Sequence, residues 1–99
     1  MIILAGHIRT TPDQVEGLAQ ALRSLVPATL AEDGCLAYAF ALDDREVGTV
    51  LVYERWRDQA ALDAHLALPE VLGILTDWGD KVTIDVRKFD AANERSPLD

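Results

Sequence analysis

The 99-residue chain holds one cysteine, one methionine, two histidines and nine basic residues against seventeen acidic ones. A single cysteine, Cys35, cannot form an internal disulfide. With no recognisable signal peptide, that points to a cytoplasmic protein. The net charge of −8 argues against a nucleic-acid partner, because displacing phosphate counterions needs clustered Lys and Arg. It counts equally against an anionic membrane surface. No apolar run approaches the ~20 residues that span a bilayer. C-x-x-C, H-E-x-x-H, P-loop, G-x-G-x-x-G and G-x-S-x-G patterns are all missing. Two distant histidines make a poor metal site, so no metal is expected.

The residues that are present read as one domain with 49% hydrophobic and 26% charged residues. "MIILAGHI" is a short, nearly continuous apolar run and predicts a strand. In the next segment Thr11 is a candidate N-cap, Pro12 suits a first helical position and Gln14 completes a capping box. Val15, Leu18, Ala19, Leu22, Leu25 and Val26 then recur at helical spacing. Pro27 should end or kink this helix, which resumes to about Glu32. "CLAYAFAL" and "TVLVYERW" flank the turn "DDREVG" and predict a hairpin. Asp58 can cap a helix over 59–67, and Pro69 opens another in which Val71, Leu72, Leu75 and Trp78 share a face. "KVTIDVRKF" alternates as a strand with one wet face. The domain is expected to span 1–90, with 91–99 a flexible tail.

The element order βαββαβ gives a ferredoxin-like α+β sandwich: a four-stranded antiparallel sheet with helices on one face. A sheet covered on one side should alternate polar and apolar residues, yet both faces of "CLAYAFAL" and "TVLVY" are apolar. The chain has helix enough for only one face. A second copy of the sheet is the simplest cover for the other, so a homodimer is expected.

Several stretches now carry a resemblance: "MIILAGHIR", "EDGCLAYAFALD", "VLVYERWRDQAALDAHLALPE" and the closing strand. Within them, Tyr53, Glu54 and Trp56 form Y-E-x-W, and Ala61, Leu62, Ala64 and His65 form A-L-x-A-H. In this order and spacing, over roughly residues 1–89, the chain resembles the antibiotic biosynthesis monooxygenase family. The resemblance implies a dimeric α/β barrel made of two ferredoxin-like subunits. Some members oxidise anthrones or hydroquinones to quinones with O₂, using no metal or flavin, and others have no known reaction. Base-assisted removal of a phenolic or enolic proton in a dry aromatic pocket is the implied chemistry. The chain departs from the family's H-x-x-S-P-H pattern, with Leu68 and Glu70 standing where serine and the second histidine would be. Glu70 then either serves as a base, or the activity is altered or absent. Related haem-degrading enzymes resemble a pattern with an asparagine in the first strand and a histidine in the last helix, and this chain has neither.

His65 and His7 are the candidate catalytic bases. Each also has a structural reading, His65 as a core-boundary side chain and His7 as a hydrogen-bonded strand residue. Trp56, Tyr38, Tyr53, Trp78 and Glu70 are candidate substrate-binding residues, and the aromatics read equally well as core. Glu54 is expected to pair with an arginine, and Cys35 to behave as a small hydrophobe. The pocket is expected between helices and sheet, lined by some of His7, Tyr38, Trp56, His65 and Trp78. No cofactor is expected, and the partners are a second copy and a small aromatic molecule. The competing reading is a non-catalytic dimeric module that binds a small apolar molecule.

Overall fold

A computed structural model describes all 99 residues. The elements are β1 (Ile2–Arg9), α1 (Val15–Arg23), α2 (Val26–Leu30), β2 (Cys35–Asp44), β3 (Thr49–Trp56), α3 (Gln59–Leu66), α4 (Pro69–Trp78) and β4 (Thr83–Asp90). The sheet order is β2-β3-β1-β4, antiparallel throughout. This is the ferredoxin-like arrangement that the element order predicts, with each of its two helical connections divided into a pair of helices.

The helix boundaries show which local signals decide. Asp58 caps α3 as expected, its carboxylate accepting the Ala61 N–H at 2.9 Å. Pro69 opens α4, where its missing N–H costs nothing. The capping box at Thr11 does not form. Residues 12–14 make a turn in which the Gln14 N–H donates to the Thr11 carbonyl, and α1 starts at Val15 with no side-chain cap. The break near Pro27 falls two residues earlier than expected, after α1 ends at Arg23. Pro27 therefore sits in the first turn of α2, where a proline is tolerated.

Strand register sorts the side chains. Val50, Val52, Glu54 and Trp56 of β3 point towards the helices, and in β1 so do their partners Ile8, Gly6, Leu4 and Ile2. Tyr38, Phe40 and Leu42 of β2 share that side. The core is two adjoining clusters there, one around Trp56, Tyr38 and Leu62 and one around Val15, Leu18, Leu22 and Val50. Gly6 is required at its position. Its φ is +149°, and a Cβ would collide with the Asp85 carbonyl oxygen of β4.

The opposite face carries Ala5, His7, Leu51, Tyr53 and Phe89, with the alanines of β2, and nothing in the single chain covers it. Leu51, Tyr53 and Phe89 are 42%, 45% and 53% exposed. β4 departs from the expected single wet face: Ile84, on the helix side, is also largely exposed. The helices lie mainly over β2 and β3, and the edge strand β4 is only sparsely covered. After β4, Ala91 still exchanges backbone bonds with Met1, and Glu94 pairs with Arg55. No helix is long and apolar enough to cross a membrane.

Candidate active site

Between the sheet and helices α1, α3 and α4 lies a cavity of about 260 Å³. Its walls are aliphatic and aromatic, among them Leu4, Phe40, Val52, Val71 and Ile74. The polar atoms lining it come from His65, Glu54 and Tyr38 alone. Its mouth is framed by Leu66, Leu75 and Ile84, all substantially exposed.

α3 delivers His65. Asp58 fixes the helix start, Ala61 and Leu62 bury its inner face, and His65 follows one turn later on that face. The imidazole is only 2% exposed. Its Nδ1 lies 3.1 Å from both carboxylate oxygens of Glu32, in the turn before β2. An ionised carboxylate only accepts hydrogen bonds, so Nδ1 carries the hydrogen and donates it. When the ring is neutral Nε2 then carries the lone pair, and no protein group bonds it. Trp56 packs on the ring at 4.8 Å between centroids, and Tyr38 meets it edge-on at 5.1 Å. These contacts fix the ring plane.

Glu54 comes from β3. Its place in the sequence of inward residues Val50, Val52, Glu54, Trp56 puts a carboxyl group where an apolar side chain would ordinarily sit. The expected arginine partner is not there: Arg55 points to the other face and pairs with Glu94. Instead the Trp56 indole N–H donates to one Glu54 oxygen at 3.0 Å. The other oxygen has no protein partner. Burial pushes the Glu54 pKa up, opposed by the Trp56 N–H and the neighbouring His65. The Tyr38 hydroxyl is pushed up as well, first by burial and then by Glu54, while the Thr29 hydroxyl pulls the other way. Burial likewise raises the Cys35 thiol, with Glu32 and Glu54 adding to the effect, which suits a small hydrophobe better than a nucleophile.

The other expected site residues scatter. His7 and Tyr53 lie on the open face of the sheet, because β1 and β3 side chains alternate and both residues are out of phase with Glu54. His7 therefore does not share a cleft with His65, correcting the single-pocket expectation. It lines a separate, open groove with Arg9, Thr49 and Asp85. Trp78 lines a neighbouring void of about 40 Å³ and lies under Lys81. Glu70 is exposed in the first turn of α4 and does not line the cavity, so it is not placed to act as a base on a molecule held there. Trp56 is fully buried behind His65 and supports the site without lining it. From sequence Glu32 has no site role, and Glu54 reads as an arginine's ion-pair partner and not as a site group. For Glu54 a signal exists, an acid in the inward phase of an apolar strand, whereas Glu32 is one acid of an ordinary polar turn. Nowhere do three or more His, Cys, Asp or Glu side chains converge as a metal site would require.

Comparison with known proteins agrees with this architecture. The family model described as "Antibiotic biosynthesis monooxygenase" matches residues 1–75. A Mycobacterium tuberculosis protein named "Putative monooxygenase Rv0793" is 32% identical over 88 residues, 89% of this chain and 82% of that protein. A Synechocystis protein without an assigned function, sll1783, is 35% identical over 68 residues, 69% of this chain but only 46% of that longer protein. A Deinococcus radiodurans structure described as "a putative antibiotic biosynthesis monooxygenase" superposes with a TM-score of 0.84 at 30% identity, covering 97% of each chain. The ferredoxin-like sheet, the matched residues and these relatives together establish that the chain belongs to the antibiotic biosynthesis monooxygenase family.

Proposed function

We propose that this protein is a monooxygenase that oxidises a hydroquinone- or anthrone-like aromatic to a quinone with O₂. The observation carrying this reading is that His65 and Glu54 line the same, otherwise apolar cavity. His65 Nε2, unpaired and free to accept, takes the phenolic or enolic proton. The resulting anion transfers an electron to O₂. The radical pair combines at the ring carbon para to the oxygen, and the peroxide takes up a proton. In an anthrone-like substrate, loss of water with the hydrogen of that carbon leaves the second carbonyl; in a hydroquinone that carbon carries a hydroxyl instead, and the peroxide leaves as H₂O₂ as the hydroxyl becomes the carbonyl. Glu54 and the Tyr38 hydroxyl hold the oxygen-bearing end of the ring, and the aliphatic walls keep water away from the anion. The scheme draws on no metal or flavin, in line with the family resemblance.

The cavity also limits the substrate. A dry void of about 150 Å³ holds one benzene ring. At about 260 Å³, this one suits two fused rings better than three. The open sheet face is proposed to pair with that of a second copy, which would cover Leu51, Tyr53 and Phe89.

Oxygen uptake with one-, two- and three-ring hydroquinones and anthrones is the direct test. Turnover is expected to be best with two rings, and His65→Gln to lower it by about 10²- to 10⁴-fold. No uptake above the uncatalysed rate with any of them would refute the oxidation. The second reading, a binding module, draws on the position of Glu70, which is not placed to act as a base on a molecule in the cavity. Saturable binding of a two-ring aromatic without oxygen uptake would favour it.

A further inference from the structure

We propose that Glu32 is the outward end of a proton path from the cavity to solvent, relaying through His65 the proton that His65 takes from the bound molecule. The inference rests on the proposed oxidation for the source of that proton, and on geometry for its route. His65 spans two separate surfaces. Its ring lines the apolar cavity, while its Nδ1 meets both oxygens of Glu32. Glu32 does not line the cavity. With Asp33, Arg57, Ala60, Ala64 and Leu68 it lines a different groove on the outer side of α3. Its side chain is 22% exposed, against 2% for the imidazole. The carboxylate thus touches water on one side and a buried ring on the other.

A planar apolar molecule seated in the cavity covers His65 from the inside and closes the mouth framed by Leu66, Leu75 and Ile84. A proton gained at Nε2 then cannot leave by the way the substrate entered. The remaining way runs through the ring. As the substrate O–H bond breaks, an Nε2–H bond forms. The Nδ1–H proton moves to a Glu32 oxygen, and Glu32 releases it to water in the groove. When the peroxide later takes its proton from Nε2, Nδ1 regains one from water through Glu32, so the path carries one proton out and one back and the ring and the carboxylate end as they began. Glu54, the other acid facing His65, cannot take this part, since its oxygens face the cavity and the Trp56 indole. Glu32 touches no substrate, so it is a positioning and relay residue.

Glu32→Gln keeps an acceptor for Nδ1–H and removes the ability to carry a proton. Glu32→Ala removes both and leaves space in the groove. Three readouts separate relay from support. In ¹⁵N spectra of the wild type, His65 is expected as the Nδ1–H tautomer, retained in Glu32→Gln and lost in Glu32→Ala. Exchange of that proton with solvent should slow in Glu32→Gln. With a turning-over substrate, kcat should fall by about tenfold or more in both variants with KM unchanged, and added acetate should partly restore Glu32→Ala. A wild-type Nε2–H tautomer, unaltered proton exchange in Glu32→Gln, or a full kcat in Glu32→Gln would each overturn the relay. If the wild type oxidises nothing, the proposed function fails by itself, and the tautomer and exchange measurements still decide the role of Glu32.

Discussion

Replacing Glu54 by glutamine should make the protein's stability less dependent on pH and leave it no less stable near neutrality. Glu54 is 8% exposed, and burial raises its pKa above the ordinary glutamate value of 4.5. The folded protein therefore holds this proton to a higher pH than the unfolded chain does. Between the two values the folded state binds more protons, so raising the pH destabilises it. The stabilisation is fully present below pH 4.5 and is lost as pH climbs through the raised folded value. For one group the slope is bounded at about 1.4 kcal/mol per pH unit. Glutamine does not titrate, and its carbonyl can still accept the Trp56 indole N–H. Asp33 and Asp58 work in the opposite direction. The Arg57 guanidinium bonded to Asp33, and the Ala61 N–H bonded to Asp58, hold those carboxyls below their usual range. Both are on the surface and common to the two proteins, so their effect cancels in the difference. Urea unfolding of wild type and Glu54→Gln at one fixed protein concentration, from about pH 4 to 8, gives that difference directly. The variant should gain relative to wild type as pH rises. A pH-independent difference, or a glutamine variant weaker at neutral pH by more than about 1 kcal/mol, would refute the account of Glu54 as a buried acid whose proton stabilises the fold.

Two further perturbations probe the sheet. Sedimentation of the wild type at micromolar concentration should give a dimer, and Leu51→Asp should break it, since each large apolar side chain removed from water contributes about 1.5–3 kcal/mol; a monomeric wild type would sink the pairing. Gly6→Ala should cost at least about 3 kcal/mol in denaturant unfolding, because a methyl group there meets the Asp85 carbonyl and the backbone lies where side chains strain it; unchanged stability would mean that β1 and β4 can separate at this point.

The parts of the fold that were legible in the sequence are those where pattern and chemistry agree over several residues. The β2–β3 hairpin, the Asp58 cap and Pro69 at the start of α4 each express one local requirement, and each appears in the structure. The capping box at Thr11 was a local signal overruled by its neighbours. The Thr10 hydroxyl is committed to the Lys81 carbonyl and the Thr10 N–H to the Gly48 carbonyl, so the chain enters α1 through a turn. The exposure of β4 was not legible, because it depends on how far the helices extend across the sheet, and no residue of β4 records that. The site was legible in part. His65 stands out as one of two histidines on an apolar helix face, but its partner Glu32 is 33 positions away in sequence. No spacing rule connects a turn before β2 to a helix after β3. Only the folded chain shows that these two meet, or that His7 faces away from both.

Strand β3 makes the division of labour between the two faces of the sheet obligatory. Its even-numbered residues, from Val50 to Trp56, build the core and supply Glu54, while Leu51, Tyr53 and Arg55 face outwards. A slip of one residue would exchange the two sets, burying Arg55 among the helices and placing Glu54 on the open face. The β2–β3 turn guards against this slip. The Asp44 carboxylate accepts the N–H groups of Glu46 and Val47, and Gly48 takes a φ of +89° with its N–H bonded to the Asp44 carbonyl. The Thr49 hydroxyl then donates to Asp43 at the first position of the strand. A polar hairpin tip at one end of the sheet thus sets which way a carboxyl group points near the other end. Burying Glu54 without an arginine is costly, and the register places Trp56 on its own face, whose indole N–H offsets part of that cost. The same ring packs against His65, so the interaction that makes a buried acid tolerable also orients the imidazole beside it.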